Sequence, residues 1–545
     1  MKGLTLRRIQ EVTGGDFRLS FVNGDGSYGC VDAEGMPCQE GKLYEEGTDQ
    51  SAVMESRAVP CDFADKAASG VKKALKELLD TEVSSIVTDS RKAGPGSLFG
   101  AIAGTRVDGN DFIPAVFRQG AVCVLTERTA GKKDLYGDKE PERAAGGFRA
   151  WIRVGNTVEA LGRIAAEYLN VLKTPVVGIT GSVGKTSTKE MIASVLSVKL
   201  RTLKTEGNFN NELGLPMTVF RLTPEDEAAV LEMGVSHFGD MTVLAKIAQP
   251  SVMVITNIGT CHLEFLQDRR GVFRAKTEVF DYLKKGAQVI LNGNDDLLRQ
   301  VKEAGGSVPL FFGVDSSLEG VSDLCAGSLV DYPGDLPKDR CVTVTSIRLL
   351  GFEGSECTIS TPVGTFLVKV PVPGIHNCSN AAAATAVGLG FGMSLEQIRE
   401  GIESARTISG RFKVVKAAGK TVIDDCYNAN PVSMKSSLLV LSGAQGRRCA
   451  VLGDMGELGD QEHSLHEDVG KFAADCVDRL IAIGPLSRSL YEAAKKKDPG
   501  LSAFWYPTVE EFLTDAGNVI REGDTVLVKA SHFMHFERIV EALTE

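Results

Sequence analysis

A chain of 545 residues is too long for one hydrophobic core, so about two to four domains are expected. Its 43% hydrophobic and 24% charged residues suit an ordinary globular protein, and a net charge of −11 speaks against a general nucleic-acid or membrane-surface binder. No apolar run approaches the ~18–20 residues of a membrane span, so no stable membrane insertion is expected.

The N-terminus MKGLTLRRIQEVTGG has basic residues but no apolar core behind them, so it is not read as a signal peptide. The twelve cysteines form no C-x-x-C pair and look like reduced thiols, which points to the cytoplasm. Residues 20–80 are rich in glycine and charge and show little periodicity before KKALKELLD, a short amphipathic helix candidate; the stretch reads as an insertion. From Ser85 short β-branched strands alternate with turns at Gly94-Pro95-Gly96 and Asp108-Gly109. A helix over 112–119 and the strand AVCVLT complete a small α/β domain. Residues 128–147 are charged and turn-rich, a surface loop. The helix TVEALGRIAAEYLNVL then leads into Pro175.

The stretch PVVGITGSVGKTSTKEMIASVL organises the middle of the chain. A buried strand, Val176–Thr180, runs into Gly181-Ser182-Val183-Gly184-Lys185-Thr186-Ser187, and a helical pattern comes next with Met191, Ile192, Val195 and Leu196 on one face. Glycines let successive amides turn onto phosphate oxygens. The helix start adds its dipole, Lys185 a point charge, and the Thr186 hydroxyl can reach a phosphate-bound Mg²⁺. The spacing is the short G-x-x-G-K-T form, with Ile179 where the longer loop has glycine. Three further strands, AAVLEMG, VMVITNI and AQVILNG, each end in polar residues, the pattern of a mostly parallel sheet with a ligand crevice at its strand ends. Residues 315–345 read as an acidic, glycine-rich excursion. They are followed by the β-rich CTISTPVGTFLVKVPVPG and an alanine-rich helix. From Gly410 a third α/β unit offers the strands KTVIDDCYNANP, RRCAVLGDM, RLIAIG and DTVLVKAS.

Glu232, at the end of AAVLEMG, stands where a second Mg²⁺ ligand sits one strand from a P-loop. Asn208, Asn210 and Asn211 suit turn chemistry as well as a site. His262 follows another strand end, and Lys276 lies on a helix, where a lysine is normally a solvated cation. Asn292 in LNGNDDLL could meet a base or ribose, or simply make a turn. Arg411 follows the domain boundary, and the strand end 424–431 and GDMGELGDQEHSLH supply many polar side chains. The residues themselves indicate an enzyme that uses ATP and Mg²⁺ in clefts between domains, and leave the reaction open.

Taken in order, TGSVGKTSTKEM, GNFNNELGLPMTV, LEMGVSHFGDM, ITNIGTCHLEFL, AKTEVF, PGIHNCSNAAAA, SGRFK, IDDCYNANPVSM, VLGDMGELG and GDTVLVKAS resemble the Mur ligases, ATP-dependent amino-acid ligases of peptidoglycan precursor synthesis. NFNN, YNANP and LGDMGELG are most similar to the member that adds D-alanyl-D-alanine to a UDP-N-acetylmuramoyl-tripeptide. The D-N-P-R signature of the diaminopimelate-adding member is absent. The resemblance implies an α/β fold of three domains: 1–172, a UDP-substrate domain; 173–408, a central P-loop domain with a mostly parallel sheet; and 409–545, a Rossmann-like domain. It implies a monomer and an acyl-phosphate intermediate.

By the same resemblance Glu232 shares a Mg²⁺ with Thr186, and His262 holds a second ion, supported by Lys276 if that lysine is carbamylated. Arg411 joins Lys185 in neutralising phosphate, Asn292 and Asp425 meet the nucleoside, and Ser90, Arg91, Asn210, Asn211, Asn428, Asn430, Pro431 and His466 face substrate. Two other readings stand beside this one, a different amide ligase of the superfamily (tripeptide-forming or folylpolyglutamate synthase-like) and a nucleotide-binding regulator. The regulator would be expected to have lost Lys185, Glu232 or His262, and all three are present. The chain departs from the family at KASHFMHFE, where His532 and Phe533 stand in place of an arginine and a glycine.

Overall fold

The computed structural model describes residues 1–22, 28–36, 38, 64–129, 148–319, 330–406 and 410–545. They divide into two compact units, 1–173 with 212–224, and 174–211 with 225–545.

In the first unit, strands β1 (Asp16–Val22), β2 (Tyr28–Asp32), β3 (Ser85–Val87), β4 (Ser97–Gly100), β5 (Cys123–Thr126) and β6 (Arg149–Arg153) form one sheet in the order β2-β1-β6-β5-β4-β3. β3 to β6 run parallel, and β1 is antiparallel to both neighbours. The helix Thr157–Leu172 spans the expected residues. Asn156 caps it by accepting from the Glu159 amide, and Leu161, Ile164, Ala165 and Tyr168 are buried along one side. A short helix, Gly214–Val219, joins this unit although the chain around it belongs to the second. Tyr168 Oη donates to the Leu222 carbonyl at 2.8 Å, fixing the segment.

The second unit holds two sheets. β7 (Val176–Thr180), β8 (Thr202–Lys204), β9 (Ala228–Glu232), β10 (Val252–Ile255), β11 (Gln288–Asn292), β12 (Leu310–Val314), β13 (Cys341–Leu349), β14 (Ser355–Thr361) and β15 (Gly364–Val370) lie in the order β15-β14-β13-β12-β11-β10-β7-β9-β8. Pairing is parallel from β13 to β8, and β13 to β15 form an antiparallel extension. β7 is an interior strand, between β10 and β9, and is buried throughout, which explains its mostly apolar text. The alanine run of the helix Ile375–Gly390 is wholly buried, its small side chains packed into the same core as Met191, Val195 and Leu196 of the helix Lys185–Ser197. The third sheet, β16 (Lys413–Ala417), β17 (Lys420–Asp424), β18 (Arg447–Gly453), β19 (Arg479–Ile483), β20 (Ser502–Tyr506) and β21 (Asp524–Lys529), has the order β16-β17-β21-β18-β19-β20, parallel except for β16.

Three sequence expectations change. β1 and β2 occupy residues at the start of the expected insertion, the KKALKELLD helix begins at Ala64, and β13 starts inside the expected excursion. Charged residues alternate with apolar ones in β1, which dilutes the strand signal; β13 is regular but is obscured by the glycine-rich text before it. Most of the insertion, 130–147 of the expected loop and 320–329 of the excursion lie outside the described residues, as does Ser409 of SGRFK.

Candidate active site

The loop after β7 is held from behind by the segment that leaves β10. The Ser182 amide donates to the Asn257 carbonyl at 3.1 Å and the Val183 amide to Asn257 Oδ1 at 2.9 Å. Thr256 Oγ1 and Asn257 Nδ2 donate to the Val183 carbonyl at 2.6 and 3.2 Å, and the Gly259 amide donates to Ser182 Oγ at 2.8 Å. This close approach requires glycine at 181, where φ is +148° and a Cβ would stand 1.9 Å from Thr256 Oγ1. Gly184, at φ +83°, opens the helix Lys185–Ser197 without a side-chain cap. The helix start therefore presents amides and a positive dipole end to an anion. Lys185 Nζ arches back to the Gly181 carbonyl at 2.9 Å.

Thr186 Oγ1 donates to Glu232 Oε2 at 3.0 Å, and Asn210 Nδ2 donates to Oε1 at 3.0 Å. Glu232 is only 2% exposed, and the Lys189 ammonium, 1% exposed, lies 3.7 Å from the same Oε2 and 3.3 Å from Glu190. A carboxylate buried this far is matched by hydrogen-bond donors and a cation. No three His, Cys, Asp or Glu side chains gather as a metal cluster among the described residues. Mg²⁺ does not need one, because it binds through one or two carboxylate or hydroxyl oxygens and completes its shell with phosphates and water. The Thr186–Glu232 pair fits that donor set.

His262, at φ +53°, begins the helix Leu263–Leu266, and its Nδ1 lies 2.5 Å from Glu457 Oε2 in the loop after β18. The imidazole holds the Glu457 carboxyl below its ordinary range. Lys276 is 1% exposed; burial pulls its pKa down to about 8, the nearby Lys185 charge adds to the fall, and Cys261 opposes it. A helix lysine expected to be solvated is thus a buried amine beside the phosphate loop.

Arg411 and Ser187 line one small cleft with Glu190, Met191, Asn377 and Arg406. The Arg411 guanidinium sits over the Tyr427 ring at 4.1 Å, Tyr427 stacks on His532 at 5.5 Å, and Arg411 Nε has no partner among the described residues. Burial raises the Tyr427 pKa, and the Glu232 carboxylate contributes, so charge on β9 is felt at the end of β17. Lys185, Thr186, Ser187, Glu232, His262, Lys276 and Arg411 thus belong to one region of the second unit.

Other expected residues are engaged internally. Asn292 donates to the Thr256 carbonyl at 2.8 Å and accepts from the Asn294 amide at 2.9 Å. Asp425 accepts from Lys529 Nζ at 2.7 Å, Ser437 Oγ at 2.6 Å and the Phe412 amide at 3.1 Å. Asn428 accepts from the Ala429 amide; Asn430 is the N-cap of the helix Pro431–Ser442, in a capping box with Ser433, and Pro431 is its first residue. His466, expected to face substrate, is 0% exposed; it accepts from the Met455 amide at 2.9 Å and bonds the Glu462 carbonyl at 2.6 Å, so both ring nitrogens are engaged within the protein. Its burial lowers its pKa. Asn211 forms an interaction of its own beside Asn210. In the first unit Ser90 and Arg91 lie in a short 3₁₀ turn whose Arg91 guanidinium grips Asp89 at 2.8 and 2.9 Å.

Asn257, Lys189, Asn377 and Asn380 were missed from sequence. Thr188 Oγ1 donates to Asn380 Oδ1 at 2.9 Å, and Asn380 Nδ2 to Asn377 Oδ1 at 2.9 Å, tying the phosphate-loop helix to Ile375–Gly390. The two asparagines at i, i+3 in HNCSN were the signal that could have found them, since that spacing puts both on one helix face.

Three family models match the chain: Mur ligase family, catalytic domain, over 82–169; Mur ligase middle domain over 179–388; and Mur ligase, glutamate ligase domain, over 410–532. The chain is 34% identical over 470 residues to the UDP-N-acetylmuramoyl-tripeptide--D-alanyl-D-alanine ligase of Bacillus subtilis, covering 85% of this chain and 94% of the relative. It is likewise 34% identical to the protein of that name from Escherichia coli K12, covering 86% and 95%. A crystal structure of MurF from Acinetobacter baumannii superposes with a TM-score of 0.73 at 34% identity, covering 86% and 94%. MurF ligase from Thermotoga maritima in complex with ADP gives 0.69 at 28%, covering 84% and 97%.

Proposed function

The chain belongs to the Mur ligase family, and from that premise we propose that it joins D-alanyl-D-alanine to UDP-N-acetylmuramoyl-tripeptide at the expense of ATP. The observation that carries the reading is the 34% identity, over 85% and 86% of this chain and 94% and 95% of the relatives, to proteins named for that reaction. The site chemistry agrees with it. ATP gives its γ-phosphoryl group to the free carboxylate of the tripeptide, leaving ADP and an acyl phosphate. The dipeptide amine attacks the acyl carbon, and the amide forms as phosphate departs from the tetrahedral intermediate.

Phosphoryl transfer between two anions needs neutralised charge and alignment more than covalent help. Lys185 supplies one cation, moving from the Gly181 carbonyl to phosphate oxygens, while the amides at the start of Lys185–Ser197 hold the anion in line. Arg411 supplies the second from the cleft it lines with Ser187, oriented by the Tyr427 ring. Mg²⁺ held by Thr186 and Glu232, with a second ion at His262 and a carbamylated Lys276, would neutralise phosphate charge there. A carbamate forms only on a neutral amine, and the lowered pKa of Lys276 supports that modification. His262, whose Nδ1 now faces Glu457, would hold the second ion through its imidazole. Asp425 acts on the nucleotide side through the Phe412 amide it holds, which sets Arg411, and Asn292 acts by shaping the loop after β11.

On the substrate side we assign Asn210, Asn211, Asn428 and the helix start at Asn430-Pro431 to the peptide, and Ser90 and Arg91 to the UDP-linked end. We divide the chain into domains 1–172, 173–408 and 409–545 and assign it to the cytoplasm as a monomer. Reduced cysteines throughout the described residues support that compartment. No helix among the described residues is long and apolar enough to cross a membrane. The test is ATP-dependent phosphate release with UDP-N-acetylmuramoyl-tripeptide and D-alanyl-D-alanine together. Release is expected only when both are present, and folded protein giving none above the ATP-only blank would overturn the reading.

A further inference from the structure

On the edge of the first sheet, two cysteines meet. Cys30 lies on β2, the outermost strand, and Cys38 follows the turn that reverses the chain over residues 32–36. The Asp32 amide donates to the Met36 carbonyl at 3.0 Å, and the Cys38 amide to the Cys30 carbonyl at 2.9 Å, so the two residues stand directly opposite each other. Their sulfurs are 3.1 Å apart, and both residues are half-buried.

A second observation distinguishes the pair. Arg18, two residues from Ser20 on the same face of β1, donates from Nη1 to Cys38 Sγ at 2.6 Å, and its other terminal nitrogen bonds Asp16 Oδ2 at 2.8 Å. A guanidinium against a sulfur is the setting that supplies thiolate, the form that attacks. Cys30 lies opposite Ser20, which itself accepts from the Trp151 indole at 3.3 Å, and burial pushes the Cys30 thiol up to about 12. One sulfur is placed to attack and the other to follow.

We propose that Cys30 and Cys38 are a redox-active dithiol that closes reversibly to a disulfide on reaction with a low-molecular-weight disulfide. The Cys38 thiolate attacks one sulfur of the small disulfide RSSR, forming Cys38–S–S–R and releasing RS⁻. Cys30 then loses its proton and attacks Cys38 Sγ, forming the Cys30–Cys38 bond and releasing the second RS⁻. The protein gives up two electrons and two protons, and RSSR becomes two RSH. Cysteine pairs of this kind in a reducing compartment are transient and sensing rather than structural. Closure would tie the ends of the 32–36 turn and lock the sheet edge, making this unit responsive to the thiol–disulfide state of its surroundings.

The full chain is incubated with oxidised glutathione, alkylated and digested with trypsin. Residues 19–42 form one tryptic peptide that carries both cysteines and no other. Wild type is expected to yield this peptide two hydrogens lighter and unalkylated, with dithiothreitol restoring two alkylatable thiols. Cys30→Ser should trap a glutathionyl group on Cys38, while Cys38→Ser leaves Cys30 free. Arg18→Gln should slow closure by about threefold or more, because the guanidinium no longer steadies negative charge on the Cys38 sulfur as it attacks. A doubly alkylated wild-type peptide after incubation overturns the proposal, and so does equal trapping in the two serine variants. Thiol counts and far-UV spectra before oxidation confirm that each variant is folded.

Discussion

Replacing Asp425 by alanine separates a structural from a nucleotide-binding account of that residue. Its carboxylate takes three donors, and Lys529, 3% exposed, has Asp425 as its only carboxylate partner among the described residues. Removing one member of a buried pair strands the other charge and costs about 3–5 kcal/mol. The carbonyls of Asn428 and Asp425, 3.1 and 3.4 Å from Lys529 Nζ, cannot neutralise the ammonium. Asp425→Ala should therefore lower stability by roughly 4 kcal/mol. The urea midpoint should fall by at least about 1 M for slopes of ~1–3 kcal/mol/M. Fluorescence of Trp505, whose indole donates to the Gly484 carbonyl at 2.9 Å, follows the transition in a Trp151→Phe background. Asp425→Ala/Lys529→Met removes both charges and should recover most of the loss, a coupling of about 2–3 kcal/mol. A loss below about 1 kcal/mol, or a double variant no more stable than the single, would refute the reasoning.

Lys276→Met in bicarbonate-free buffer should stabilise the protein by roughly 3 kcal/mol near pH 7, because the folded lysine titrates near 8 rather than 10.5. The sign comes from the protons bound: below pH 8 both states carry the charge and the fold bears its burial, and the penalty fades as pH rises toward 10.5. A variant no more stable than wild type at pH 7 would contradict the burial argument. Lys276→Ala should lose ligase activity without rescue by bicarbonate, and ¹³C-bicarbonate should give wild type a carbamate signal that the variant lacks. Gly181→Ala should weaken ADP binding at least about tenfold by titration, since its Cβ cannot coexist with Thr256 Oγ1. His466→Ala should cost about 2–4 kcal/mol in urea unfolding, yet leave KM for both peptide substrates within about twofold at temperatures where it stays folded. A large KM change in folded protein would restore the substrate role.

Elements whose burial alone dictates their text were legible. β7, β9 and β10 are covered on both faces, so they are apolar up to the polar ends of β7 and β9 at Thr180 and Glu232, and the helix Thr157–Leu172 announces itself by cap and period. β1, β6, β16 and β20 were missed because arginine, lysine or half-buried residues interrupt them, and a strand that shows one face to water writes no continuous signal. At the site, Lys185, Thr186 and Glu232 were legible because their spacing is set by local chemistry. Lys189 was not, since a lysine one turn into a helix is identified as a counter-ion only by the carboxylate that a distant strand brings to it. Asn257 looked like an ordinary strand-end residue, and His466 looked free to meet substrate; both are explained by hydrogen bonds to residues remote in sequence or deep in a loop.

The brace behind the phosphate loop also restricts what the loop can grip. With the Ser182 and Val183 amides committed to Asn257, the amides left without an acceptor among the described residues begin at Gly184 and continue into the first turn of the helix. A longer loop wraps a chain of phosphates along its length, whereas this one offers a short cap. A nucleotide bound in this way would be held at its phosphate tail, so the loop is expected to rank nucleotides by how far that tail extends, with a monophosphate falling short of it.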